Sequence, residues 1–389
     1  MVLNKIVLKK DKESSVKRFH PWIFSGAIKS NTENLVDGEI VKVYSNSNEF
    51  LGTGFYNNGS IAVRLFSFED VNIDQSFWDK KIQSAYNYRK NIGLINNSET
   101  NVYRLCHAEG DNITGLIIDI YGKTAVIQSH TIGIHNIKEN IAESLKTVFG
   151  NEIKAIYYKS DKIIKTAQNE YLYKSEEPEN IVIENNNKFF IDWETGQKTG
   201  FFIDQRDNRN ILSSYAKNKS VLNTFCYTGG FSVYALNNGA TEVHSVDASK
   251  KAIELTDKNI ELNNGTSKHQ SFCTDVFDFF KNNENNYDII ILDPPAFAKH
   301  LSAKHSAIMG YKRLNQTALK RIKKGGILFT FSCSQVVDKY TFSNTITSAA
   351  IEAGRNVRVM GYLSQPADHP INIFHPEGDY LKGLILYVE

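Results

Sequence analysis

Between Val221 and Ser334 the chain alternates two kinds of apolar pattern. Short β-branched or aromatic runs stop abruptly in small or polar residues. The run 220–226 ends in Tyr227-Thr-Gly-Gly230, 242–246 in Asp247, and 268–273 in Thr274-Asp275. The run 288–292 ends in Asp293-Pro-Pro, and 327–331 in Ser332-Cys333-Ser334. The segments between them have helical spacing: one from Phe231, one over 250–263 with Ile253, Leu255, Ile260 and Leu262, and one over 305–323. A helix at 341–354 and strands at 356–363 and 381–388 follow. The pattern predicts a doubly wound α/β sheet of seven strands, with its chemistry at the carboxyl ends.

The chain before this sheet reads differently. Residues 1–72 hold short apolar runs broken by Gly and Asn, among them 5–9, 39–44, 52–56 and 61–66. They predict a small β-barrel. Its Arg18-Phe-His-Pro-Trp-Ile-Phe24 stretch mixes basic and aromatic residues. Rings there could stack on unpaired bases while Arg18 meets phosphate, or Phe19, Trp22 and Phe24 could be core. Residues 73–185 begin with an amphipathic helix carrying Phe77, Trp78, Ile82 and Tyr86, then alternate strands with a helix as a central α/β domain. Arg104, His107, Glu109 and Asp111 cluster near its start, as a polar site or a turn network. The third domain spans 186–389. It opens with Gly196-Gln-Lys-Thr-Gly-Phe-Phe-Ile-Asp-Gln-Arg-Asp-Asn-Arg209, dense enough in polar groups to suit the mouth of a site or a helix start near Asp204.

Composition narrows the picture. With 389 residues, 41% of them apolar, the chain can fill several cores. A net charge of +2 means that any nucleic-acid surface must come from local clustering. The four cysteines, Cys106, Cys226, Cys273 and Cys333, are far apart and form no metal-binding pair. No metal is therefore expected, and a reducing cytoplasm is the expected compartment. No run reaches membrane-spanning length, and the N-terminus lacks a signal-peptide core.

Three carboxylates, Asp247, Asp275 and Asp293, end successive strands beside a glycine-bearing turn. Asp247 follows Gly229 at the spacing at which an acid accepts from ribose hydroxyls. No G-x-G-x-x-G is present, and the turn carries no phosphate-binding lysine. An acidic edge suits a nucleoside with positive charge, such as the sulfonium of S-adenosylmethionine. Cys333 ends the fifth strand. Its thiolate could add to carbon 6 of cytosine, making carbon 5 nucleophilic toward a methyl cation, with Asp293 acting at ring nitrogen 3. Cys106 and Cys273 read as small buried residues, and Cys226 as packing in the turn. From Pro294 to Val337 there is no acid but eight bases: Lys299, Lys304, Lys312, Arg313, Lys320, Arg321, Lys323 and Lys324. This run links the fourth and fifth strands, so it is expected to border the site and meet RNA phosphates.

The 18–26, 196–209, 223–234, 293–297 and 332–334 stretches together resemble the bacterial large-subunit rRNA cytosine-5 methyltransferases that carry an N-terminal PUA domain. The resemblance covers essentially the whole chain. It implies a PUA RNA-binding barrel, a central α/β domain and a class I, Rossmann-like methyltransferase domain. It implies S-adenosylmethionine held by Phe225, Tyr227, Thr228, Gly229, Asp247, Ala248, Asp275, Val276 and Asp293, with Asp204 and Arg206 added from the 196–209 stretch. It implies Cys333 as nucleophile and large-subunit rRNA as partner, with a homodimer left open. Ala296 departs from the family's usual lysine after Asp-Pro-Pro, where Lys299 could compensate. Methylation of another base atom, or a non-catalytic RNA-binding assembly factor, are the alternatives.

Overall fold

The computed structural model describes residues 3–30, 32–160, 168–298 and 300–389. They form two compact units: 1–182 with 191–203 and 367–378, and 183–190 with 204–366 and 379–389.

The first unit holds two five-stranded sheets. One orders Asn4–Val7, Ile40–Tyr44, Phe50–Tyr56, Ile61–Ser67 and Trp22–Phe24; the other orders Glu170–Lys174, Ala155–Ser160, Thr124–Ser129, Leu116–Tyr121 and Val102–His107. The helix Gln75–Asn91 is capped by Asp74, whose side chain accepts from Phe77 N. Trp78, Ile82 and Ala85 recur on one face of that helix and are buried. The first sheet has its own core of Ile6, Leu8, Ile23, Val41, Val43, Val63 and Leu65, while Phe55 and Phe66 reach out of it to join Trp78, Ile82, Leu105, Ile118 and Ile127. Phe55 stacks on Trp78 with ring centroids 6.2 Å apart. Through those two rings the regions on either side of residue 72 pack as parts of one compact unit.

The second unit is built on one seven-stranded sheet. Its strands are β1 (Ser220–Thr224), β2 (Glu242–Asp247), β3 (His269–Cys273), β4 (Tyr287–Leu292), β5 (Ile322–Ser332), β6 (Val357–Leu363) and β7 (Lys382–Val388). Its helices are α1 (Arg206–Ser213), α2 (Gly230–Asn237), α3 (Lys250–Leu262), α4 (Val276–Asn282), α5 (Lys304–Arg321) and α6 (Lys339–Ala353). The strand order is β3-β2-β1-β4-β5-β7-β6. The first five are parallel, and β7 runs antiparallel between β5 and β6.

Alternate residues of each strand serve opposite faces. Ile290, Leu292 and Leu328 pack with α4, α5 and α6, while Ile289, Ile291, Phe329 and Phe331 pack with α1 and α2. Burial on both faces is why these strands read as unbroken apolar runs. The order in which strands are added reverses at β1, whose neighbours are β2 and β4. Such a switch point opens a crevice at the carboxyl ends of the strands.

Candidate active site at the carboxyl edge of the sheet

The turn after β1 is wound tightly. Phe225 and Tyr227 have φ of +55° and +47°, which are left-handed values for bulky residues, and Gly229 has +74°. Non-glycine residues held there store about 1–3 kcal/mol each, so the surroundings must fix them. They do so from α3: Thr256 Oγ1 donates to Tyr227 O at 2.9 Å, and Asn259 Nδ2 donates to Thr228 O at 2.9 Å. A Cβ on Gly229 would lie 2.7 Å from Thr256 Cγ2. Cys226 is buried with Sγ 3.5 Å from Thr256 Oγ1, and burial pushes its thiol pKa up.

Asp247 stands half-buried at the end of β2. Its Oδ2 accepts from Tyr227 N at 3.0 Å and its Oδ1 from Ser249 N at 2.9 Å. The two amides fix the carboxylate plane while each oxygen keeps further acceptor capacity. Ala248 beside it is exposed. Asp275 caps α4, accepting from Phe277 N at 2.8 Å and Asp278 N at 3.3 Å, and Val276 after it is buried. An aimed, acidic edge next to a tight turn fits a nucleoside that carries a ribose diol and a positive charge.

Across β1, the loops after β4 and β5 carry Asp293 and Cys333, both half-buried. Ser334 ties the two loops: its Oγ donates to Ala298 O at 2.7 Å, and it is fully buried. Tyr311 of α5 is buried against Phe297, with ring centroids 4.6 Å apart. Burial pushes its hydroxyl up to about 12, and the charges of both Cys333 and Asp293 add to that rise. Cys333 and Asp293 thus share one end of the sheet, as their strand-end positions predict.

Several expectations need correction. Cys273 is exposed rather than buried, because β3 is the edge strand of the sheet. Phe19 and Phe24 are about half exposed, so they are not core. Trp22 is half-buried; its Nε1 donates to Glu109 at 2.8 Å. The Arg104–Asp111 cluster is a structural network. Arg104 pairs with Asp119, Arg89 with Asp111, and Arg64 with Glu109.

The basic run is split. Lys304 begins α5 and pairs with Asp338 at 3.5 Å, Lys312 pairs with Glu352, and Arg313 lies over the Phe277 ring. Lys320, Arg321, Lys323 and Lys324 sit at the end of α5 and the start of β5, which is the amino edge of the sheet. Lys323 pairs there with Asp288 at 2.9 Å, and Arg321 donates to Phe280 O. These four therefore do not border the carboxyl edge. Lys299 lies outside the described residues. Arg18 is exposed and donates to Ser14 O at 3.3 Å.

From the 196–209 stretch, Asp204 accepts from Tyr380 Oη at 2.7 Å and Arg206 pairs with Asp207. Arg209, not singled out from sequence, is the residue laid against α2, where a Cβ on Gly230 would lie 2.9 Å from its Cδ. Its guanidinium is locked to buried Glu184 by two bonds of 2.8 Å. Sequence reading also missed Lys382, which is buried beside the Cys333 loop and donates to Ser334 O at 2.7 Å. Its signal was a lone lysine heading an otherwise apolar strand.

Among the described residues one group has donor atoms close enough for a metal ion: His20, His375 and Glu377 of the first unit. Among the described residues no helix is long and apolar enough to cross a membrane.

Known proteins resemble this chain along essentially its whole length. Residues 6–68 match a family model described as a PUA-like domain, and residues 158–366 one described as an S-adenosylmethionine-dependent methyltransferase. The chain is 38% identical to the ribosomal RNA large subunit methyltransferase I of Aeromonas hydrophila, over 98% of each chain. It is also 38% identical to the protein of that name from Vibrio vulnificus, over 97% of this chain and 98% of the other. A solved structure described as a SAM-dependent methyltransferase from Streptococcus mutans superposes with a TM-score of 0.86 at 26% identity, covering 99% of this chain and 100% of the other. A methyltransferase structure in complex with SAH matches with the same TM-score and identity over 100% of both chains.

Proposed function

Because the chain belongs to the S-adenosylmethionine-dependent methyltransferases, with a class I fold and a PUA-like N-terminal domain, we propose that it makes 5-methylcytosine in large-subunit ribosomal RNA. The observation that carries this reading is the pairing of Cys333 and Asp293 at neighbouring strand ends, tied by the 2.7 Å bond from Ser334 Oγ to Ala298 O. A nucleophilic thiol beside a methyl donor has a specific use on cytosine, whose carbon 5 is otherwise a poor nucleophile.

In this reading Asp247 accepts from the cofactor ribose, and the Phe225–Gly229 turn, Ala248, Asp275 and Val276 surround the nucleoside. When bound, S-adenosylmethionine supplies a methyl group on a positive sulfonium sulfur and becomes neutral on losing it. The Cys333 thiolate forms a bond to carbon 6 of the base, and the ring π pair moves toward carbon 5 while a proton held between Asp293 and nitrogen 3 neutralises the charge that forms there and is released when the adduct breaks down. Carbon 5 takes the methyl group and then gives up its proton to a base. The ring double bond re-forms as the bond from carbon 6 to Cys333 breaks, which returns the thiolate. RNA is the partner, with the exposed Phe19, Phe24 and Arg18 available to bases and phosphate. A reducing cytoplasm would keep Cys333 as a thiol.

The test incubates wild type and Cys333→Ala with S-adenosylmethionine and unmodified large-subunit rRNA, followed by nucleoside mass spectrometry. 5-Methylcytidine formed by wild type alone is expected. A different methylated nucleoside formed by both proteins would overturn the mechanism and leave the family standing.

A further inference from the structure

β7 enters the sheet antiparallel, so its first residue lies at the edge where β5 ends. Ser332 and Lys382 are register partners. Lys382 is only 4% exposed, and its Nζ donates to Ser334 O at 2.7 Å. The ammonium is thereby held one residue from Cys333, on the wall of a loop that Ser334 also ties to the Asp293 loop. A buried lysine is costly unless a negative group balances it.

The other charges in this neighbourhood are largely committed elsewhere. Asp379 Oδ2 takes Lys339 Nζ at 2.7 Å. Asp338 caps α6 through Thr341 N at 2.7 Å and also meets Lys304. Tyr311, facing from α5, stays neutral below about 12. Asp293 follows the neighbouring strand β4, its charge and that of Cys333 both act on Tyr311, and a carboxylate there would oppose ionisation of the thiol.

We propose that Lys382 is a positioning residue for the Cys333 thiolate: its buried ammonium, pinned to the Ser334 carbonyl, offsets the nearby carboxylates and keeps the sulfur ionised for attack. Burial is the largest influence on Lys382 and lowers its pKa, while Cys333 is the largest influence that raises it, which is the reciprocal of the same attraction. This role deepens the methyl-transfer reading and rests on it for its purpose, but the coupling of the two residues can be measured without turnover.

The experiment follows alkylation of Cys333 by iodoacetamide against pH, read by peptide mass spectrometry on the full chain. Cys273→Ala is the parent, since Cys273 is exposed while Cys106 and Cys226 are buried. The parent should react with an inflection below about 8.5, the value of a free thiol. Lys382→Met should raise that inflection by about one pH unit or more, a roughly tenfold slower reaction near neutral pH, as loss of a neighbouring opposite charge does. Lys382→Arg should restore most of it, which a purely structural lysine would not predict. Calorimetric titration with S-adenosylmethionine checks that each variant keeps its fold.

A Lys382→Met profile that overlays the parent would overturn the proposal, as would an Arg variant shifted as far as Met. If the Met variant does not fold, the parent decides alone: an inflection at or above about 8.5 overturns the assignment. If Cys333→Ala still makes 5-methylcytidine while the alkylation shift is found, the coupling stands and the role of Cys333 as nucleophile fails.

Discussion

Asp247 already accepts two backbone amides, so its carboxylate is aimed before any ligand arrives. Pre-aimed acceptors lose little freedom on binding, and this is what makes a single side chain matter to affinity. Asp247→Ala removes the proposed ribose acceptor and also releases Tyr227 N and Ser249 N. Calorimetry should show S-adenosylmethionine affinity falling at least about tenfold, the weight of one lost charged hydrogen bond. An unchanged affinity would remove Asp247 from the cofactor site. Asp275 shows how one residue can satisfy two readings. It caps α4 through Oδ1 as any strand-end aspartate would, and Oδ2 remains for a ligand.

At the scale of elements, the turn between β1 and α2 concentrates the strain. Two left-handed bulky residues and Gly229 are braced by Thr256 and Asn259 of the neighbouring α3. A methyl group at Gly229 would meet both the positive φ and the 2.7 Å approach to Thr256 Cγ2. Gly229→Ala should therefore lower stability by about 1–3 kcal/mol and weaken cofactor binding with it. Thermal melting with and without S-adenosylmethionine reads both. A variant that melts and binds like wild type would mean that the turn can relax without cost.

At the scale of the whole chain, charge has to be read by sheet edge rather than by sequence neighbourhood. Lys304 lies at the start of α5, while Lys320 and Lys324 are exposed around its far end. If rRNA lies over the carboxyl edge, Lys304→Gln should weaken binding and reduce the slope of log affinity against log salt by about one. The pair Lys320→Gln with Lys324→Gln should leave that slope unchanged. Filter binding across a salt series distinguishes them, and equal effects would mean that RNA wraps both edges.

Much of the second unit is determined by local sequence. Most of its strands and helices lie within a few residues of where the apolar periodicity predicts them; β5 starts earlier, at Ile322, and the helix α4 was not predicted. Asp247, Asp275, Asp293 and Cys333 are legible because a strand end is a local signal: an apolar run stops and a polar residue follows. Long-range facts were not legible. Which strands are neighbours, and in which direction each runs, depends on hydrogen-bond pairing between distant segments. That pairing brings Lys382 to the loop that carries Cys333, puts Lys320, Arg321, Lys323 and Lys324 at the opposite edge, and leaves Cys273 exposed on an edge strand. It also packs Phe55 of the first sheet against Trp78, a contact between stretches far apart in the pattern. Local patterning sets most elements and the residues at their ends, whereas packing between distant segments selects strand order and direction, and so which of those ends meet.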